Sequence, residues 1–461
     1  MKLPPKVFRV KVFRVPGRPP ARCARPTRAA VAAAVAIPTA LSVTPAASAA
    51  SAAAGVRGPT TASSAAAGTA SALAAQRDWL RLGDDDLPES RTTRALAAGV
   101  THTVITRGEG TATASRINVT SRGPWRINVV TIDPRRSRHT LETAFGNTLM
   151  APEATSRIAA WAGAKVAMNG SFFNYQGPTT FRGDPVGLTV TAGTVMSEQT
   201  GSTAEQNVFI DADRGRLRMG RFTWKGYVRN TATDKGRTLA GVNRVPRVPA
   251  PCASGDADAC AAATGELVRF SPRFAATTPS GPGAEAVYGP DGCLVRVSPT
   301  RGTKLSSAQF SVQGTGARAA QLLREADDGC VRLDEYVLDG NGDRMRLRSD
   351  TFGLSGRYRL VRGGDIVRNT GSATLFGRHP RSIIGRTADG TIQLVTIDGR
   401  SVSSVGATLV EAAQVARGLG LVDAVNLDGG GSTTLTIDGA VVNRVSGASE
   451  RPVGDALVLV R

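Results

Sequence analysis

Near the C-terminal end, Asn426-Leu427-Asp428-Gly429-Gly430-Gly431-Ser432-Thr433 gathers an amide, a carboxylate, three glycines and two hydroxyls into eight consecutive residues. A strand running into this segment puts Asn426 and Asp428 on one face, because side chains alternate with period two. The glycines then allow positive φ angles and close approach of a ligand to the backbone. Ser432 and Thr433 add hydroxyls and amides that can grip an anion. A carboxylate beside an anion-binding turn suits hydrolysis of a charged substrate. The plainer reading is a tight turn between strands, although three glycines behind a strand carboxylate exceed what a turn needs. No lysine follows the glycines, so this is not a nucleotide-binding P-loop.

Three further segments could carry chemistry. Met168-Asn169-Gly170-Ser171-Phe172-Phe173 ends a strand in a turn dipeptide, and its aromatics are either core or a sugar-stacking surface. Arg378-His379-Pro380-Arg381 sets a histidine between two arginines, as an anion clamp or as an exposed basic loop. Asp398 precedes Gly399-Arg400 at a strand end, a position that serves sites and plain turns alike. Glu411 is accounted for by helix capping with Thr408.

These residues need elements to hold them. The alternation in 126–132 predicts a strand, 155–163 a short helix and 165–168 a buried strand. A first strand is expected over 96–105. Strands are expected over 382–387, 391–397 and 425–428. Thr408–Gly418 has helical spacing at Leu409, Ala412, Ala413, Ala416 and Leu419. Residues 433–437 and 440–443 flank Asp438-Gly439 as a hairpin, and 456–460 closes the sheet. The expected fold class is α+β, a mixed β-sheet core with hairpins and a few packing helices.

The chain has 461 residues and a formal net charge of +20. Hydrophobic residues make up 41%, enough for a packed core, which excludes a wholly disordered chain. Residues 1–49 read as a secretory signal: nine basic residues without an acid, an Ala/Val run, then Ala47-Ser48-Ala49. No twin-arginine pair is present, so general secretion is expected. Removing those nine charges from +20 leaves +11, spread without basic runs. Nucleic acid is therefore not an expected partner, and weak attraction to an anionic wall polymer fits better. Residues 50–77, almost all Ala, Ser, Thr and Gly at first, read as a disordered leader. The folded region is then 78–461, with a Pro/Gly/Ala-rich, disulfide-containing insertion at about 244–345.

Cys252, Cys260, Cys293 and Cys330 remain after signal removal. An even number in an exported chain implies disulfides. Three pairings are open, and Cys252–Cys260 with Cys293–Cys330 is favoured because the first pair brackets a short polar loop. With three histidines and no zinc spacing, zinc is not expected.

Together the motifs resemble the phosphodiester glycosidase family, the domain of the enzyme that uncovers mannose 6-phosphate. The resemblance spans about 125–461. It rests on Asn169 to Phe173, Asp184-Pro185-Val186-Gly187-Leu188, Asn243-Arg244, Arg381-Ser382-Ile383-Ile384-Gly385, Val395 to Arg400, Gly406 to Glu411, Asn426 to Ser432, and Arg451-Pro452-Val453. Ser171 departs from the family's glycine. The resemblance implies a secreted hydrolase that cleaves a sugar-1-phosphodiester at the anomeric carbon, giving free sugar and a phosphomonoester. A phosphodiester leaves without a strong proton donor, so stabilising the oxocarbenium ion and the departing phosphate matters most. On this reading Asp428 is base or nucleophile, Asp398 a second carboxylate, and Arg381 with His379 the phosphate clamp. Asn169, Gly170, Ser171, Phe173, Asp184, Asn426, Gly429, Gly430, Gly431, Ser432, Thr433 and Arg451 would bind substrate. No cofactor is required, and a bound divalent cation such as calcium stays open. The partner is a carbohydrate phosphodiester, with no nucleic acid and no membrane insertion after signal cleavage. The location is extracellular or cell-wall associated, and oligomeric state is not readable. The alternatives are a phosphodiesterase acting at phosphorus and a non-catalytic wall-polymer binding protein.

Overall fold

The computed structural model describes residues 79–175, 181–326 and 329–461. The chain divides into units 1–64 and 65–461, and every described residue belongs to the second. The expected signal and the whole of the expected leader therefore lie outside the described residues.

The framework is an eight-stranded sheet. Its order is Glu89–Ala97, Val100–Arg107, Trp125–Ile132, Ile392–Ile397, Arg381–Thr387, Leu421–Asn426, Arg359–Arg362 and Asp365–Ile366. Every neighbouring pair is antiparallel. The expected first strand is two: Gly99 at φ +70 turns the chain between Ala97 and Val100. The period-two pattern sends alternate residues to opposite cores. Val129, Ile383 and Val395 face one, while Val130, Ile384 and Leu394 face the other.

The first core is closed by the helix Leu409–Gly418, which lays Leu409, Ala412, Ala413 and Ala416 on the sheet. Small alanines let the helix approach closely. Its N-terminus is the expected capping box, with Thr408 Oγ1 accepting from Glu411 N (3.1 Å) and Glu411 Oε2 accepting from Thr408 N (2.8 Å). This helix connects Ile392–Ile397 to Leu421–Asn426, two strands that run the same way on either side of Arg381–Thr387.

The second core is closed by a five-stranded antiparallel sheet. Its order is Ala440–Val441, Leu435–Ile437, Val166–Asn169, Ala456–Val460 and Thr140–Ala144. Leu435, Met168 and Leu457 pack from it against Ile384, Val425 and Leu427.

The fold is therefore richer in strands, and more antiparallel, than a mixed α+β sheet. Among the described residues the one parallel pairing joins Gly241–Val242 to Leu267–Phe270. The cause is local: hairpin turns connect antiparallel neighbours at little entropic cost, and few segments are long enough for crossover helices.

The middle of the chain has more regular structure than an elaborated loop. Gly241–Val242, Leu267–Phe270, Phe310–Gly314, Ala284–Tyr288 and Leu294–Ser298 form a sheet with its own buried core, including Val312 and Tyr288. Alternating apolar residues across glycine-rich connections build it, and composition alone hides that pattern. Cys252 bonds Cys260, and Cys293 bonds Cys330. Among the described residues no helix is long and apolar enough to cross a membrane.

Candidate active site

Four strand ends meet at one edge of the two stacked sheets. Asn426 lies opposite Ile383, and Ile397 opposite Arg381, so the end of 421–426, the start of 381–387 and the end of 392–397 share a level. The second sheet delivers Asn169. Its Nδ2 donates to the Asp428 carbonyl (2.6 Å), and its Oδ1 accepts from Ser382 Oγ (2.7 Å) and Thr434 N (3.2 Å). Asp428 N donates to the Gly170 carbonyl (3.1 Å). Asn169 is thus a fully buried clasp joining three motifs, and it has no face left for a sugar hydroxyl.

Asp428 sits at the mouth of this junction, partly buried. Its Oδ1 accepts from Gly429 N (3.0 Å). Burial pushes its carboxyl up to about 6, against the opposing pull of Ser432, the Gly429 amide, Arg451 and Arg357. Ser432 Oγ is buried and near enough to bias that carboxyl, yet has no well-formed hydrogen bond to any described atom.

The glycines have a geometric reason. Gly430 holds φ +61, and a Cβ there would lie 3.0 Å from Arg400 Nη2. A Cβ on Gly431 would lie 2.3 Å from Arg451 Nη2 and 2.4 Å from its Cζ. Two guanidinium groups therefore rest directly on the glycine backbone beside Asp428. A third, Arg357, stands over the Phe172 ring at 4.7 Å and acts electrostatically on Asp428. Arg451 stands over Tyr175 at 5.6 Å. Among the described residues, none of these three arginines has a carboxylate partner within ion-pair distance. Burial, followed by the charge of Arg451, holds Arg400 below the usual arginine range.

His379 touches the cluster through Arg400. Its Nε2 faces the Thr374 carbonyl (2.7 Å), which can only accept, so Nε2 carries the proton. Its Nδ1 then accepts from Arg400 Nε (3.3 Å) and Nη2 (3.2 Å). Burial lowers the His379 pKa, and Arg400 and Arg381 add to that against the opposing hydrogen bond to Thr374. His379 is a neutral brace for Arg400.

Several expected residues point elsewhere. Arg381 is 1% exposed, and donates to the carbonyls of Ala407 (2.8 Å), Leu375 (2.8 Å) and Gly377 (2.6 Å). Burial brings its pKa down to about 10. With its fork spent on backbone, it does not serve as a phosphate clamp. Arg378 is likewise engaged, by Glu411 and the Thr120 carbonyl.

Asp398 is also 1% exposed and anchors a loop, with Oδ2 accepting from Arg444 N (3.0 Å). Burial, offset by Arg444, Arg126 and Asn443, puts its carboxyl at about 6. No hydrogen bond or ion pair among the described residues links it to Asp428, so the pairing of the two carboxylates is not supported.

Ser171 donates to Asp455 Oδ2 through Oγ (2.7 Å) and to Oδ1 through its amide, and accepts from Ser355 N (3.0 Å). Gly170 is needed because a Cβ would strike Asp455 Oδ1. Phe173 packs in a core with Ile158 and Val453 rather than facing substrate. Asp184 has Glu198 and Arg244 as its charged neighbours, not Asp428; burial raises its carboxyl well above the ordinary value. Asn426 is fully buried, with Nδ2 on the Leu427 carbonyl (3.0 Å). Thr433 is buried behind the turn, its carbonyl accepting from Asn443 Nδ2 (3.1 Å).

The site thus keeps Asp428, Gly429, Gly430, Gly431, Ser432 and Arg451, and adds Arg400, Arg357, Phe172 and Tyr175. Arg400 had a signal in Asp398-Gly399-Arg400, where it follows a strand end at φ +58. Arg357 ends the strand Thr351–Arg357, which is remote in sequence from the glycine turn. Among the described residues, no group of three or more His, Cys, Asp or Glu side chains is arranged to hold a metal ion.

Comparison with known proteins finds similarity over the C-terminal part of the chain, where the glycine turn lies. The phosphodiester glycosidase family matches residues 272–460. A Bacillus subtilis prophage-derived protein, YomE, is 39% identical over 153 residues, covering 32% of this chain and 22% of its own length. The human N-acetylglucosamine-1-phosphodiester alpha-N-acetylglucosaminidase is 31% identical over 162 residues, covering 32% of this chain and 28% of its own. The chain thus spans only about a quarter of the length of these curated relatives. A solved Burkholderia pseudomallei protein, thought to be exported, shares the fold with TM-score 0.69 at 23% identity, over 83% of this chain and 98% of that one. The Asn169 segment lies outside the family match yet clasps its glycine turn. Residues 272–460, with Asp428 and its glycine turn among them, are similar to the phosphodiester glycosidase family.

Proposed function

We propose that this protein hydrolyses a sugar-1-phosphodiester at the anomeric carbon, releasing free sugar and a phosphomonoester. The observation that carries the reading is the pair of guanidinium groups seated on Gly430 and Gly431 beside the Asp428 carboxylate. A phosphodiester ligand carries one negative charge, and its leaving phosphate gains a second as the glycosidic bond breaks. Among the described residues Arg400, Arg451 and Arg357 have no carboxylate within ion-pair distance, and they can meet that growing charge without reorganising. Asp428, with its carboxyl at about 6, is mostly ionised at neutral pH and acts as base or nucleophile at the anomeric carbon. Phe172 and Tyr175, each under a guanidinium, help to hold Arg357 and Arg451 in place. His379 keeps Arg400 in place. The chemistry is carried by the chain's own residues. Export and a glycopolymer substrate outside the cell belong to the same proposal, supported by the two disulfides and the N-terminal signal pattern.

The test is a panel of sugar-1-phosphodiesters assayed for reducing sugar, with wild type and Asp428→Asn. The wild type should release sugar from at least one member. The variant should fold and lose roughly a hundredfold or more in turnover. A folded, fully active variant sinks the assignment of Asp428.

A further inference from the structure

A second charged cavity lies away from Asp428. It encloses about 530 Å³, and four arginines line it: Arg216, Arg218, Arg346 and Arg386. Arg386 is on the same strand as Arg381 but five residues along, about 17 Å from the catalytic end at strand spacing. Apolar side chains also line it: Phe209 and Met345, which pack in one core, and Leu217, which packs in the other.

Charge accounting around the cavity leaves an excess. Its two carboxylates, Asp211 and Asp389, are each met by an arginine that does not line it. Arg214 Nη1 donates to Asp211 (3.0 Å) and Arg135 Nη2 to Asp389 (3.1 Å). Two of the lining arginines also have partners: Arg218 pairs with Asp339 (2.9 Å) and Arg386 with Asp423 (2.6 Å). Arg216 and Arg346 have no carboxylate within ion-pair distance among the described residues. Asp211, the cross-strand neighbour of Arg216, spends its carboxylate on Arg214. Two uncompensated guanidinium groups thus line a concavity of about 530 Å³. That combination takes an anion carried on a larger body, since the charge meets the arginines and the body fills the concavity.

We propose that this cavity binds a second phosphodiester unit of a linear anionic glycan, holding the polymer while Asp428 acts on another unit. This rests on the proposed function for the choice of polymer, but its binding step needs no catalysis. The size of the concavity beside unpaired arginines favours a phosphate-linked polyol or sugar over a bare inorganic anion.

The test uses the full chain carrying Asp428→Asn, so that nothing is hydrolysed, and a poly(glycerol phosphate) probe in titration calorimetry at low salt. Adding Arg216→Glu and Arg346→Glu should weaken binding about tenfold or more. Arg318→Glu with Arg324→Glu, which change the net charge equally on a helix outside the cavity, should weaken it less than twofold. In the Asp428 wild-type background, the cavity pair should leave turnover of a small soluble sugar-1-phosphodiester unchanged. Equal weakening by both pairs reduces the effect to net charge and overturns the site, as does no binding by the parent chain. Loss of small-substrate turnover in the cavity pair overturns it too, because the change would then act on the fold or on catalysis. Failure of wild type on every small phosphodiester, with polymer binding still lost selectively, would sink the proposed activity and leave the cavity standing.

Discussion

Gly431→Ala isolates the arrangement on which the site depends. The glycine has no positive φ to defend, so alanine suits its backbone, and the three atoms nearest the added Cβ all belong to the Arg451 guanidinium: Nη2, Cζ and Nε. The guanidinium must retreat by about 1 Å or more to restore ordinary contact. Arg451 is exposed and long, so that retreat costs the fold little. Glycine-to-alanine replacement also stabilises by about 0.4–1 kcal/mol through the unfolded chain. The melting temperature should therefore hold or rise slightly. The charge-assisted bond from Arg451 to phosphate is worth about 1.5–3 kcal/mol, so kcat/KM should fall by about 10–100-fold. The assay is a thermal melt beside steady-state kinetics for Gly431→Ala, Arg451→Ala and the double variant. If both single changes act through one contact, the double variant should be no worse than Arg451→Ala. A folded Gly431→Ala enzyme within twofold of wild type, or full additivity in the double variant, refutes the reasoning.

Asp428→Asn should also change stability against pH. A carboxyl raised from 3.8 to about 6 in the folded state favours the protonated form there, so folding loses stability as pH rises from about 4 to 6. The full shift corresponds to about 3 kcal/mol, and partial exposure of Asp428 trims it to about 1–2 kcal/mol. Urea melts at pH 8 should therefore find the asparagine variant more stable by that amount, and at pH 3.5 level with wild type; a less stable variant at pH 8 contradicts the burial argument. Wild-type kcat/KM should climb between pH 5 and 7, since Asp428 acts ionised, and a fall over that range would make it an acid instead. Arg381→Lys should lower stability by about 2–4 kcal/mol in urea melts, because lysine cannot reach all three carbonyls and leaves some unpaired; a turnover defect with unchanged stability would restore Arg381 to the phosphate. Opening Cys293–Cys330, separated by 37 residues, should cost about 1.4 kcal/mol more than opening Cys252–Cys260, separated by 8, by loop-closure entropy. Melts of the two serine-pair variants decide it.

The sequence was most legible where local pattern and structure coincide. Thr408 and Glu411 specify their capping box by spacing alone, and Ile383 with Ile384 assigns both faces of a central strand. The glycine turn stood out as a candidate site because nothing in strand pairing requires three glycines there. The roles of its neighbours were not. Arg381 and Arg400 look alike in sequence, yet one is consumed by three carbonyls and the other lies on Gly430. Asn169 reads as a ligand residue through the family resemblance, but its amide closes the junction between sheets. Only the assembled fold brings the strand of Arg357 beside Asp428. Short-range rules fix elements and caps, whereas which polar group is spent and which remains free depends on contacts hundreds of residues apart.

The most direct measurement follows a cleaved sugar-1-phosphodiester in water enriched in heavy oxygen, with mass spectrometry of both products. Attack at the anomeric carbon, with Arg400 and Arg451 holding the departing phosphate, places the heavy oxygen in the free sugar and none in the phosphomonoester. Heavy oxygen in the phosphate product would mean attack at phosphorus and would contradict the account.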